Sequence, residues 1–192
     1  EKEGLYPLPS DTKPGQDIVE FLGLDDVVLE IGLTPNRSDC MGMINIAREL
    51  SALTGAPLEL PEIKPSQPGG KCAELAYVKL EEEGLCSRFG ARLVENVKVG
   101  PSPLWLKQRL TAMGIRSINN LVDISNLVML EMNRPLHFFD YDKIAGKGLG
   151  VRRAKPGETI ETLDGQQRQL SEEMTLVTDE AGGVAIAGVM GG

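Results

Sequence analysis

The stretch that decides the fold is NNLVDISNLVMLEMNRPLHFFD, residues 119–140. Three polar side chains, Asn119, Asp123 and Asn126, share one face of a helical projection. Asn133 and Pro135 follow, and proline cannot continue a helix. The apolar residues lie three or four positions apart on another face, which predicts an amphipathic helix built on Leu121, Ile124, Leu127 and Val128.

The three polar side chains allow two interpretations. Buried amides and carboxylates cost free energy unless they are hydrogen-bonded, so they either cap loops and tie neighbouring elements or contact a polar ligand. His137, the only histidine of the chain, allows the same choice. Its apolar flanks are typical of a core imidazole, whereas its chemistry suits proton transfer.

The segments before this stretch predict two further helices and three strands. Met43, Ile46, Ala47, Leu50 and Leu53 fall on one helical face, and Gly55 ends that helix. Ser102 is predicted to cap a third helix that carries Leu106, Leu110 and Met113. Alternation predicts strands at residues 26–34, 76–83 and 88–99, and a polar, proline-rich linker at 61–71.

Short β segments make up the rest of the chain, at 149–154, 159–163, 166–170, 174–179 and 184–189. Asp164-Gly165 is the strongest hairpin signal among them. The alanines and glycines of 184–189 leave room for a ligand or for close strand packing, and the sequence leaves both open. The pattern predicts an α+β fold, with a small helical, winged-helix-like unit followed by a larger mixed module ending in strands.

Composition excludes several classes of protein. The net charge of −8 over 192 residues disfavours a free-standing nucleic-acid binder, although four basic residues offer one local patch: Arg152, Arg153, Lys155 and Arg168. Three widely spaced cysteines predict neither disulfides nor a metal site, and fit a reducing compartment. No apolar run is long enough to span a membrane. The first residues, EKEG, and the last, VMGG, suggest a fragment of a longer protein.

Residues 26–55, DVVLEIGLTPNRSDCMGMINIARELSALTG, resemble the segment that follows the oligonucleotide-binding insertion in the β subunit of bacterial phenylalanyl-tRNA synthetases. Residues 87–140, and the segment from LDG to VAIAGVMGG, resemble that subunit's editing module. The resemblance implies three domains. They are the end of the insertion with a connector (1–24), a small helical and β domain with a linker (25–85), and a C-terminally truncated editing module (86–192).

The family's editing module hydrolyses tyrosine wrongly esterified to phenylalanine tRNA. The resemblance therefore implies catalytic roles for His137 and Asn126, with a positioned water and no covalent nucleophile. Further positions are implied to bind the substrate: Ser125, Leu163, Ala187, Gly188 and Gly191. The tRNA's terminal hydroxyl can assist in such sites, and the carboxylate that recognises the tyrosine hydroxyl lies downstream of Gly192.

The resemblance also implies the partners. They are phenylalanine tRNA and the α subunit of an α2β2 heterotetramer in the cytoplasm, with no membrane and no DNA. No cofactor is expected in this fragment, whereas the whole enzyme uses ATP and magnesium. The alternative is a non-catalytic scaffold that docks tRNA or the α subunit. A stand-alone editing factor is disfavoured by the N-terminal segment.

Overall fold

The structure is a computed structural model that describes residues 7–10, 12–65 and 71–192. Parts of the predicted connector (1–6 and 11) and linker (66–70) lie outside the described residues. Helices and strands occur together, which confirms the α+β class. Contacts divide the chain into two compact units, Glu1–Glu59 with Val99–Leu136 and Leu60–Lys98 with His137–Gly192. The domain boundaries near residues 25 and 86 stay a prediction.

The first unit is helical. Its α-helices are α1 (Ile18–Phe21), α2 (Met43–Thr54), α3 (Leu104–Ala112) and α4 (Asn120–Met132), with a 3-10 segment at Pro35–Met41. The three predicted helices are confirmed as α2, α3 and α4. Helix α2 ends at Gly55, and α4 ends at Asn133, which adopts the left-handed conformation. The buried leucines of α3, Leu106 and Leu110, supply apolar core where α3 packs on α4.

Of the three polar residues predicted to share one face, Asn119 and Asp123 have structural roles. Asn119 caps the helix, because its side-chain oxygen accepts hydrogen bonds from the backbone N–H groups of Leu121 and Val122. Asp123 is completely buried, and its carboxylate accepts hydrogen bonds from the hydroxyls of Ser102 and Ser117. The structural interpretation of the polar face is therefore correct for these two residues.

The predicted cap of α3 is wrong. Pro103 takes the N-cap position without any side-chain cap, and the Ser102 hydroxyl donates to Asp123 at 2.5 Å instead. A hydrogen bond donated to a buried carboxylate is stronger than the neutral one that a capping hydroxyl accepts from a backbone N–H. Ser102 therefore links the start of α3 to α4.

Two predicted strands are also wrong. Residues 26–34 and 88–99 belong to no helix or strand, because no strand among the described residues pairs with them. Alternating side chains favour a strand only when a backbone partner satisfies the N–H and C=O groups. As a result Val27 and Leu29 are 76% and 71% exposed, and the apolar face of α2 is exposed at Leu53 as well.

The second unit is built on a five-stranded sheet of order β1-β2-β5-β6-β7. Strands β1 and β2 are parallel and the remaining pairs are antiparallel. A separate two-stranded sheet pairs β3 with β4. The bounds are β1 Tyr77–Leu80, β2 Gly148–Arg153, β3 Thr159–Glu161, β4 Gln167–Gln169, β5 Thr175–Thr178, β6 Gly183–Ile186 and β7 Met190–Gly191.

Two turns shape this unit. The Asp164-Gly165 hairpin is confirmed between β3 and β4, and Gly165 has a φ of +74° that L-residues rarely adopt. The predicted strand 184–189 is too long, since β6 ends at Ile186 and residues 187–189 form a turn. Gly188, at φ +71°, allows the chain to reverse into β7. Ala154, Ile160, Leu170 and Leu176 are buried together and form an apolar core in this unit.

The ion pair of Arg152 and Glu158 makes the second unit sensitive to acid. The two side chains are only 12% and 16% exposed and form two hydrogen bonds of 2.7 and 2.8 Å. Chiefly through the Arg152 hydrogen bond, the pKa of Glu158 falls from 4.5 to about 2. Stabilisation from Glu158 is therefore full above pH 4.5 and is lost as the pH falls towards 2.

Replacing Glu158 with glutamine is expected to lower the free energy of unfolding at pH 7 by roughly 2 kcal/mol and to flatten its acid dependence. Urea unfolding at pH 7, 4.5 and 3 measures both effects. Glu82→Gln is the matched control, because Glu82 pairs with Arg153 while 48% exposed. Exposed pairs contribute little, so this control is expected to change stability by less than about 0.5 kcal/mol. Equal effects from both substitutions would contradict the prediction.

Candidate functional site

Within the second unit, the structure brings together His137, Leu163 and Gly191. The backbone N–H of Leu163 donates to the Gly191 carbonyl oxygen at 3.0 Å. A Cβ atom placed on Gly191 would lie 2.5 Å from His137 Cε1 and 2.9 Å from Leu163 Cδ1. Both distances are shorter than van der Waals contact, so the two side chains converge only because residue 191 has no side chain.

His137 is exposed, which contradicts its interpretation as a core histidine. Its ring packs against Phe139 with a centroid distance of 4.5 Å and a tilt of 58°. The imidazole has two ring nitrogens that can donate or accept a hydrogen bond. The arrangement can therefore orient a water molecule or a polar ligand group.

Phe139 was not predicted as part of the site. The sequence contains a usable signal, because residues two apart in an extended segment project to the same side. His137 and Phe139 have this spacing, and the structure places residues 135–140 outside any helix. Phe138 projects elsewhere and is 42% exposed.

Ala187 and Gly188 lie on the same hairpin as Gly191, in the turn between β6 and β7. Ala187 is half-buried, and its N–H donates to the Thr175 carbonyl at 2.9 Å, whereas Gly188 is exposed. The small residues therefore have different roles. Ala185 is buried in the sheet as packing, while contact of Ala187 and Gly188 with a substrate stays a prediction.

Ser125 and Asn126 lie on α4 in the first unit, and both are half-buried. The Ser125 hydroxyl donates to the Val122 carbonyl of its own helix at 2.7 Å. The Asn126 amide forms no hydrogen bond with any residue that the structure describes. It therefore lacks a structural role of the kind seen at Asn119 and Asp123. Its place in one site with His137 stays a prediction.

The predicted basic patch does not present free arginine charges. Arg152 pairs with Glu158, Arg153 with Glu82 at 3.3 Å, and Arg168 with Asp164 at 2.6 Å. A paired guanidinium has to exchange a carboxylate for a phosphate, which reduces the gain from binding a polyanion. The three pairs agree with the acidic composition in disfavouring this face as a nucleic-acid surface.

Asp39, Cys40 and Glu49 lie close enough together to hold a metal ion. The guanidinium of Arg37 already occupies the centre of this group, at 2.9 Å from Asp39 and 2.7 Å from Glu49. The hydrogen bond from Arg37 lowers the pKa of Asp39 to about 2, whereas burial raises the pKa of the Cys40 thiol. A guanidinium among two carboxylates and a protonated thiol makes this an ion-pair cluster rather than a metal centre.

Residues 85–192 match the family model of the B3/4 domain. The chain belongs to the B3/4 domain family. It is 53% identical over 192 residues to the phenylalanine–tRNA ligase beta subunit of Moorella thermoacetica, covering 100% of this chain and 24% of that protein. The same subunit of Anaeromyxobacter dehalogenans is 50% identical, and that of Geobacillus kaustophilus 47%, over 98% and 99% of this chain and 24% of each relative.

These similarities confirm the predicted resemblance to the β subunits of bacterial phenylalanyl-tRNA synthetases. The chain spans about a quarter of the length of the curated relatives it matches. The B3/4 domain match contains all seven predicted site residues and takes in parts of both compact units. None of the helices in the described part of the chain is long and apolar enough to cross a membrane.

Proposed function

We propose that this chain is part of the β subunit of a bacterial phenylalanine–tRNA ligase, and that its B3/4 domain hydrolyses tyrosine esterified to phenylalanine tRNA. The observation that carries the proposal is the convergence of His137, Leu163 and Gly191 at an exposed position. An imidazole, an exposed leucine and a residue without a side chain supply a polar group beside an open apolar wall. That combination suits a phenol ring with an ester next to it.

A physical argument explains why a ligase for phenylalanine needs such a site. An apolar pocket rejects an analogue carrying one extra hydroxyl only weakly. A second pocket that hydrogen-bonds this hydroxyl discriminates strongly against the molecule that lacks it. A slot of ring size lined by polar side chains would meet this requirement.

The reaction we propose is hydrolysis by a positioned water. The water oxygen bonds to the ester carbonyl carbon, the bond from that carbon to the tRNA ribose oxygen breaks, and a proton passes to the ribose oxygen. The products are free tyrosine and tRNA with a free hydroxyl. His137 or Asn126 orients the water or the ester, which lowers the entropy cost of the attack.

The proposal extends to partners beyond this chain. The proposed ligase binds phenylalanine tRNA, pairs with an α subunit as α2β2, and acts in the cytoplasm. ATP and magnesium belong to its synthetic reaction, which we assign to the α subunit. A run of exposed apolar side chains along residues 27–33 supports a position within a larger assembly, because such runs mark interaction sites; its members are Val27, Val28, Leu29, Ile31 and Leu33.

The same exposed residues favour a second candidate function, a non-catalytic scaffold that docks tRNA or the α subunit. An interface requires apolar surface, but it does not require His137 and Leu163 to come together at Gly191. The two candidates therefore differ in what substitutions near His137 do. A scaffold tolerates them, whereas a hydrolase loses rate.

The test uses the complete subunit pair with tyrosine-charged phenylalanine tRNA. Ala187→Trp is expected to slow deacylation about tenfold, because the indole would fill space that the substrate ring needs. His137→Ala is expected to slow it less, about threefold, since general acid–base assistance is shared with the tRNA hydroxyl. Release of radiolabelled tyrosine measures both rates.

Phe138→Ala is the control for His137→Ala, because Phe138 neighbours the imidazole without ring contact to it. Its rate is expected to match the wild type. Undiminished deacylation in both Ala187→Trp and His137→Ala would remove the assignment of this site. A wild-type enzyme that leaves the ester intact would instead support the scaffold.

A further inference from the structure

The side chains of Thr162, Asp164 and Arg168 form a closed hydrogen-bond network, and two of these residues flank Leu163 in the sequence. The Thr162 hydroxyl donates to Asp164 Oδ1 at 2.5 Å and accepts a hydrogen bond from Arg168 Nε at 2.9 Å. The Arg168 guanidinium completes the ring by donating to Asp164 Oδ2 at 2.6 Å. Each member therefore contacts the other two, and networks of this kind are stiffer than separate pairs.

The network lies on both sides of Leu163 in the sequence. Thr162 precedes it and is only 2% exposed, whereas Leu163 itself is 69% exposed. The backbone is held here too, because the N–H of Gly165 donates to the Thr162 carbonyl at 2.7 Å and that of Leu163 donates to Gly191. The position of Leu163 is therefore set by hydrogen bonds of the backbone around it and not by packing in the core.

The geometry points to a positioning role for Thr162, Asp164 and Arg168. We infer that these side chains hold Leu163 against Gly191 and His137 as the apolar wall of the tyrosine slot, an inference that rests on the proposed function. None of the three contacts the reacting atoms in this assignment. They act through Leu163, and a wall placed within a fraction of an ångström pre-organises the bound ring.

The test measures deacylation of tyrosine-charged tRNA by the complete subunit pair. Thr162→Val keeps the shape of the side chain but removes its hydroxyl, and is expected to raise KM about fivefold with little change in kcat, because a displaced wall weakens binding of substrate and transition state alike. Thr162→Ser restores the hydroxyl and is expected to restore KM. Thr159→Val is the matched control, because Thr159 lies on β3, which directly precedes Thr162, and is exposed.

A double-mutant cycle separates positioning from simple structural support. If Thr162 acts through Leu163, adding Thr162→Val to Leu163→Ala is expected to cause no further rise in KM. Additive effects, or a KM that Thr162→Val leaves unchanged, would overturn the inference while the wild type still hydrolyses the ester. A wild-type enzyme that does not hydrolyse the ester would overturn the proposed function, and this inference with it.

Discussion

Gly191→Val is expected to lower kcat/KM for hydrolysis of tyrosine-charged phenylalanine tRNA about fifteenfold, because it combines the loss expected without the imidazole, about threefold, with the loss expected from a displaced Leu163, about fivefold. The reason lies in the space at residue 191. Any Cβ there overlaps His137 Cε1 and comes within 2.9 Å of Leu163 Cδ1, so both side chains must move. Gly191→Ala is expected to cause a smaller loss, about fivefold, because a single methyl displaces them less.

The loss of rate is expected without a loss of folding. The overlapping atoms belong to exposed side chains that can rotate away, and residue 191 has no left-handed φ that would strain a larger residue. Urea unfolding of Gly191→Val should therefore remain within about 1 kcal/mol of the wild type. Gly182→Ala is the matched control in the same unit, since a Cβ there meets nothing within 4 Å. Equal rates for Gly191→Val and Gly182→Ala would contradict the site.

Asp123→Ala is expected to destabilise the first unit by about 3 kcal/mol. The substitution leaves two hydroxyls and the N–H of Ile118 without the acceptor that they share in the native state. Burial raises the pKa of Asp123, but hydrogen bonds from Ser102, Ser117 and Ile118 outweigh burial and hold the pKa below its usual range. The carboxylate is therefore ionised at neutral pH, and its contribution is lost in acid.

Urea unfolding at pH 7 measures this effect. Ser102→Ala removes one donor and is expected to lower the free energy of unfolding by about 1 kcal/mol. Asp123→Ala is therefore expected to be the more destabilising of the two. Glu131→Ala is the control on the same helix, because Glu131 is 37% exposed and lies 4.0 Å from Arg109. It is expected to change stability by less than about 0.5 kcal/mol. A cost for Asp123→Ala as small as that of Glu131→Ala would show that the network does not link α3 to α4.

In this chain, features that depend on neighbouring residues were predicted correctly, whereas features that depend on a distant partner were not. Helices α2, α3 and α4 and the Asp164-Gly165 hairpin were predictable, because periodicity, end signals and turn residues act within a few positions. The strands at 26–34 and 88–99 were predicted wrongly, because alternation describes one strand only and does not say whether another strand pairs with it. Ser102 was mistaken for a cap for a similar reason, since its partner lies twenty-one positions away.

The candidate site likewise contains residues that were predicted from the sequence and contacts that were not. Its residues were chosen through the resemblance to a family, and the similarities over the whole chain confirm that resemblance. The residues themselves supported a core interpretation of His137, which the exposed imidazole contradicts. The network of Thr162, Asp164 and Arg168 was not predicted, because no local pattern distinguishes side chains that close a ring from side chains that face solvent.

The sequence by itself determined the helices, the tight turns, the α+β class and the family of this chain, because these depend on local backbone preferences or on long matched motifs. Only the tertiary structure decided that Gly191 meets His137 and Leu163, and that Asp123 is buried as an acceptor for α3. Such contacts join residues dozens of positions apart. They depend on how strands and helices are brought together, which short-range periodicity does not contain.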